Sequence, residues 1–169
     1  IYVSGICLFL ILIESALIDI KKMYIPTSIC VAGTLLGLLT VATMGLFIEF
    51  KEASLILINH FSSVIVSRWL MYVISKISKT IIGKESLGIG DANLVAMGGA
   101  WLGPSGIALS TGLAFVIAGI FSFIGIVCGR MKRLEAFPFA PFIAISIWTV
   151  WLFEPSLWSE KWLNFWGMS

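Results

Sequence analysis

The chain has 169 residues, of which 59% are hydrophobic and only 12% charged, with a formal net charge of +2. A soluble domain carries about 25% charged residues; half of that cannot cover a water-soluble globule, so an all-α polytopic membrane protein is expected. A net charge this small, with no basic face for phosphates, excludes a nucleic-acid binder.

The first apolar run, Tyr2 to Ile18, has no basic residue before it and no small-residue cleavage site after it. It reads as a retained span rather than a signal peptide. Four further runs follow: Thr27 to Ile48, Ala53 to Ile74, Gly106 to Cys128 and Phe137 to Phe153. Each is near the roughly 20 residues that cross a bilayer. A shorter run, Ala92 to Leu102, lies before Gly106 and is expected to be a short helix packed inside the bundle. The tail "EPSLWSEKWLNFW" spaces Trp158, Trp162 and Trp166 at helical intervals and predicts a C-terminal interfacial helix. The expected architecture is a bundle of about six transmembrane helices, and no linker or repeat divides residues 1–169, which read as one membrane-embedded domain.

Six segments place both termini on one side. Lys21, Lys22, Lys76, Lys79, Lys84, Arg130, Lys132 and Arg133 fall in loops on the other side, which marks that side as cytoplasmic. Small residues four apart (Gly33 and Gly37, Gly99 and Gly103, Gly125 and Gly129) suit close helix packing, and equally the general abundance of glycine in membrane helices. Cys7, Cys30 and Cys128 are far apart and form no C-x-x-C pair, so no metal or redox site is expected and no cofactor is implied. His60 falls inside the third span, toward the outer face, and is expected to be packed or hydrogen-bonded. Glu14 and Arg68 fall inside spans at similar depth and are expected to form a buried ion pair joining the first and third helices.

Glu49, Glu52, Glu85, Glu135, Glu154 and Glu160 read as solvated surface charges. Asp19, at the end of the first span, and Asp91, at the start of the short sixth segment, both fall at the cytoplasmic membrane face. Two carboxylates at one depth can share a proton, one acting as base on water and the other as acid toward a carbonyl. Two interfacial carboxylates paired with nearby lysines fit the same spacing. Gly88 and Gly90, before Asp91, allow positive φ or a close backbone approach. Pro26 sits where a first helical turn needs no amide donor.

Three stretches together resemble the type IV prepilin peptidase family of GxGD membrane aspartic proteases. They are "LIDIKKMYIPTS", "GIGDANLVAMGGAWLG" and "FPFAPFIA", the last with Pro138 and Pro141. The resemblance implies that Asp19 and Asp91 are the catalytic aspartates and that Gly88 and Gly90 are the GxGD glycines. It implies cleavage, at the cytoplasmic face of a bacterial inner membrane, of a short basic leader from a prepilin or pseudopilin. Such a substrate has an apolar N-terminal helix that lies in the lipid. Thr27, Asn93 and Ala140 depart from the family pattern, which often has Asn or Asp, Lys, and Gly there. The cysteine-motif portion of larger members, linked to N-methylation, has no counterpart in this sequence, so peptidase activity without methyltransferase activity is expected. A GxGD peptidase for another membrane substrate, and a non-catalytic pilus or secretion assembly subunit, are the alternatives. The pilin and the oligomeric state are left open.

Overall fold

A computed structural model describes residues 2–47, 49–83, 87–130, 132 and 137–153. Trp158, Trp162 and Trp166, with Glu85, Glu135, Glu154 and Glu160, lie outside the described residues. Among the described residues there are five helices: α1 (Tyr2–Lys22), α2 (Thr27–Gly45), α3 (Phe50–Ile82), α4 (Ile89–Val127) and α5 (Ala140–Phe153). The first four are long and apolar enough to cross a membrane, and α5 is a shorter apolar helix. The protein is therefore a multi-pass membrane protein. Helix continuity outruns the apolar runs: α1 continues through Lys21 and Lys22, and α3 continues until Gly83, in the left-handed region at φ 78°, ends it.

Unbroken, the 39 residues of α4 would reach about 58 Å, nearly twice the thickness of a bilayer core. The chain turns back at Gly103, whose φ of 68° and ψ of −170° are open only to glycine, followed by Pro104. Several contacts fix the fold-back. A Cβ on Gly98 would lie 2.9 Å from the Ile107 side chain, whereas nine residues of straight helix span about 13 Å. Phe115, on the second arm, packs with its ring centroid 5.3 Å from that of Phe139, next to Ala140, whose amide reaches Asp19. Asp19 in turn acts electrostatically on Asp91, on the first arm. Residues 89–102 and 104–127 are thus antiparallel arms of a helical hairpin. They correspond to the expected short helix and the span that follows it, whereas the expectation of about six transmembrane helices is met by four helices long enough to cross, with α5 shorter, among the described residues.

The first arm is the centre of the bundle, buried from Ala92 through Gly103. Glycine brings its neighbours in. A Cβ on Gly33 of α2 would collide with Met97, and one on Gly37 would lie 2.8 Å from the Trp101 ring. Trp101 Nε1 donates to the Gly33 carbonyl at 2.9 Å across the same seam. On the other side, Gly99 would place a Cβ 2.9 Å from the Ser63 carbonyl oxygen of α3. The Gly33–Gly37 pair and Gly99 therefore pack as expected of small residues four apart. Gly129 instead takes φ 70° just beyond α4.

Pro104 has no amide hydrogen, so the Ala100 carbonyl four residues earlier loses its helical partner. His60 fills the gap, its Nδ1 3.0 Å from that oxygen. The ring is the hydrogen-bonded one expected from the sequence, and it lies at the hairpin turn, the opposite end of the first arm from Asp91.

The expected Glu14–Arg68 pair does not form. Helix α2 packs against both α1 and α3 and stands between them. Both side chains are exposed, and no ion pair joins them among the described residues. Their depth was readable from residue counts, but their placement around the bundle was not.

Candidate active site

Helix α1 buries Leu8, Leu12, Ser15 and Asp19, one stripe at helical spacing. The last residue of that stripe is a carboxylate, 6% exposed. Its Oδ2 accepts the Ala140 amide at 3.0 Å. Asp19 thereby caps the N-terminus of α5, where unpaired amides and the helix dipole favour a negative charge. Pro138 and Pro141 flank this start, and a proline early in a helix forgoes an amide that has no helical partner.

Beyond Asp19 the chain makes a short connection through Met23, at φ 50°, to the buried Ile25. Pro26 follows as the residue that caps α2 in an extended conformation. The first arm of α4 starts beside this connection. A Cβ on Gly90 would lie 3.0 Å from the Ile25 Cβ, so glycine there gives room for this close approach. Gly88 has φ −77° and is exposed. Neither glycine adopts positive φ; of the two roles expected for them, only the close approach is found, and only at Gly90.

Asp91 is the third residue of its helix, half-buried, and its Oδ2 accepts the Gly88 amide at 2.9 Å. This is half of a capping box, the other half being unavailable to a glycine. The preceding loop is pinned to α3, because Ser75 Oγ donates to the Leu87 carbonyl at 2.9 Å. The structure thus brings Asp19 and Asp91 to one end of the bundle. They are close enough to act on each other electrostatically, and each is oriented by a backbone amide. Among the described residues, no group of three or more His, Cys, Asp and Glu side chains is arranged to hold a metal.

The model of the type IV leader peptidase family matches residues 6–123, which include both aspartates. The chain belongs to that family. It is 29% identical to the prepilin leader peptidase/N-methyltransferase of Neisseria gonorrhoeae over 163 residues, 96% of this chain and 52% of that protein. Its identity to the protein of the same description from Stutzerimonas stutzeri is 29% over 144 residues, 83% of this chain and 46% of the relative. With the Pseudomonas aeruginosa one it is 28% over 159 residues, 92% and 51%. The chain therefore spans about half the length of the curated relatives it matches. No solved structure matches it. Its bacterial relatives and its apolar helices identify this leader peptidase family member as a multi-pass inner-membrane protein.

Two of the departures from the family pattern meet in space. Asn93 Nδ2 donates to Thr27 Oγ1 at 3.5 Å, a long bond from the first arm of α4 to the first residue of α2. Ala140 contributes to the site through its amide, which glycine would supply equally. Sequence reasoning missed Ser75, Ile25 and Cys30. The Cys30 thiol is buried on α2, near enough to Asp91 to feel its charge. No residue-type signal marks Ser75 or Ile25. Cys30 reads in sequence as a small apolar residue.

Proposed function

We propose that the protein is an aspartic endopeptidase that removes the short basic leader from a type IV prepilin or pseudopilin. The observation carrying this reading is the convergence of Asp19 and Asp91, each held by one backbone amide, in a chain of this family. In the proposed reaction one aspartate is ionised and the other protonated. The ionised carboxylate takes a proton from a water as its oxygen attacks the scissile carbonyl carbon. The protonated carboxyl gives its proton to the carbonyl oxygen, forming a gem-diol. The carbon–nitrogen bond then breaks as a proton passes to the departing amine, leaving a leader carboxylate and a free pilin amine. The amides of Ala140 and Gly88 hold the carboxylates in fixed orientations, so little reorganisation is needed at the reacting carbon.

The site lies at one end of the bundle. The Lys and Arg distribution supports that end as the cytoplasmic one, with both described ends of the chain directed outward. The substrate's apolar helix lies in lipid against the bundle and presents its leader junction at that face. Residues 1–169 act as a single peptidase domain. The aspartates need no metal for this chemistry.

The test is incubation of the purified chain in liposomes with a prepilin, followed by mass spectrometry of the new N-terminus. Cleavage at the leader junction, unaffected by a zinc chelator, is expected. Binding of prepilin without turnover would indicate an assembly subunit. Cleavage of another single-span protein, with every prepilin left intact, would indicate a different substrate class.

A further inference from the structure

Glu14 and Arg68 have no place in the proposed reaction, and neither has a partner among the described residues. Both lie at the same depth. Gly33 of α2 is met by Ile11 of α1 and by Met97 of α4. Met97 is two residues before Gly99, which lies on Ser63, so Ile11 is level with about residue 65 of α3, which runs antiparallel to the first arm. Glu14 and Arg68 each stand three residues farther toward the site end, on helices running in the same direction.

They also share a face. Helix α1 meets α5 through Gly5 and Phe9, and α2 through Ile11. Glu14, one turn beyond Ile11, is on the α2 side, turned outward. On α3, Ala53 lies against Gly45 of α2, and Val64 is on the same stripe about three turns later. Arg68, one turn beyond Val64, is again on the α2 side and turned outward. Helices packed at about 8–10 Å spacing put α1 and α3, on either side of α2, roughly 16–20 Å apart. The two charges cannot reach each other within one chain. Glu14 lies about 12 Å below Lys22, the last residue of α1, within the apolar length of the helix.

We propose that this face binds a second copy of the chain, with Glu14 of each copy paired to Arg68 of the other. A twofold axis along the membrane normal sets α1 of one copy opposite α3 of the next, with α2 against α2. Because the opposite charges are at equal depth on either side of α2, the face is complementary to itself under that rotation. Two ion pairs form per dimer, each replacing two charges exposed to lipid. A substrate helix would match one charge and leave the other, which is why a second copy is favoured. The catalytic aspartates play no part in this contact, so its failure leaves the peptidase reading intact.

The test uses the whole chain in liposomes. Glu14→Arg or Arg68→Glu alone should weaken self-association about tenfold or more, from the loss of two polar interhelical contacts. The double reversal should restore it. A second measurement avoids charge reversal. With Cys7, Cys30 and Cys128 replaced by Ala, a tagged Glu14→Cys copy and an untagged Arg68→Cys copy should cross-link to each other through a short bismaleimide. Two Glu14→Cys copies should not cross-link. A monomeric wild type, unchanged association in the single reversals, a double reversal that restores nothing, or capture of prepilin in place of the second copy would each overturn the proposal.

Discussion

Gly103→Ala is a substitution whose sign is set by the hairpin. At an ordinary helical glycine, alanine stabilises by about 0.4–1 kcal/mol through the unfolded chain. At φ 68° and ψ −170° the same change forces a residue into a region open essentially to glycine, costing about 1–3 kcal/mol. The added Cβ would also stand 3.1 Å from His60 Nε2, while Nδ1 of that ring is held 3.0 Å from the Ala100 carbonyl. If the ring yields, the bond to a carbonyl orphaned by Pro104 weakens, for about 1 kcal/mol more. The expected loss is about 2–4 kcal/mol in all, measured by reversible unfolding in mixed detergent–SDS micelles. Since part of this loss acts through His60, Gly103→Ala with His60→Ala should cost less than the sum of the two singles. A neutral or stabilising Gly103→Ala would mean that α4 does not turn back at this residue.

Other outcomes follow from the same contacts. Gly99→Ala sets its methyl 2.9 Å from a backbone oxygen of α3, which cannot rotate away, and should cost about 1–3 kcal/mol in the same unfolding assay. Asn93→Lys places an ammonium at a site only 7% exposed, opposite a hydroxyl; it should cost about 3 kcal/mol alone. Adding Thr27→Asp should recover most of that loss, and a double variant no better than the single would separate the two positions. Ser75→Ala frees the Leu87 carbonyl before Gly88 and should lower kcat for prepilin cleavage more than it raises KM.

The passes through the membrane were legible because lipid demands uninterrupted apolar runs, and the short run from Ala92 to Leu102 stood out by its length. The arms of the hairpin were legible as two separate runs, Ala92 to Leu102 and Gly106 to Cys128, but the turn was not, because Gly103 read only as a small packing residue and its positive φ leaves no mark in the sequence. Asp19 and Asp91 were legible as a pair of equal depth, because depth along a helix is a residue count. Position around the bundle is not such a count. The Glu14–Arg68 pairing failed for that reason, with α2 seated between the two helices. The support given to Asp19 by Ala140 was also hidden, since a backbone amide donates regardless of the side chain it carries. Thr27 and Asn93 each looked like an isolated departure until the structure put them in hydrogen-bond contact.

If the proposed reaction is right, Asp19 and Asp91 act as one unit. Asp19→Asn, Asp91→Asn and the double variant, each confirmed folded, test it through the rate of prepilin cleavage under single-turnover conditions. Groups that work as a unit are strongly non-additive, so each single variant should lose as much rate as the double. Retained cleavage in either single variant, or losses that multiply in the double, would contradict the dyad.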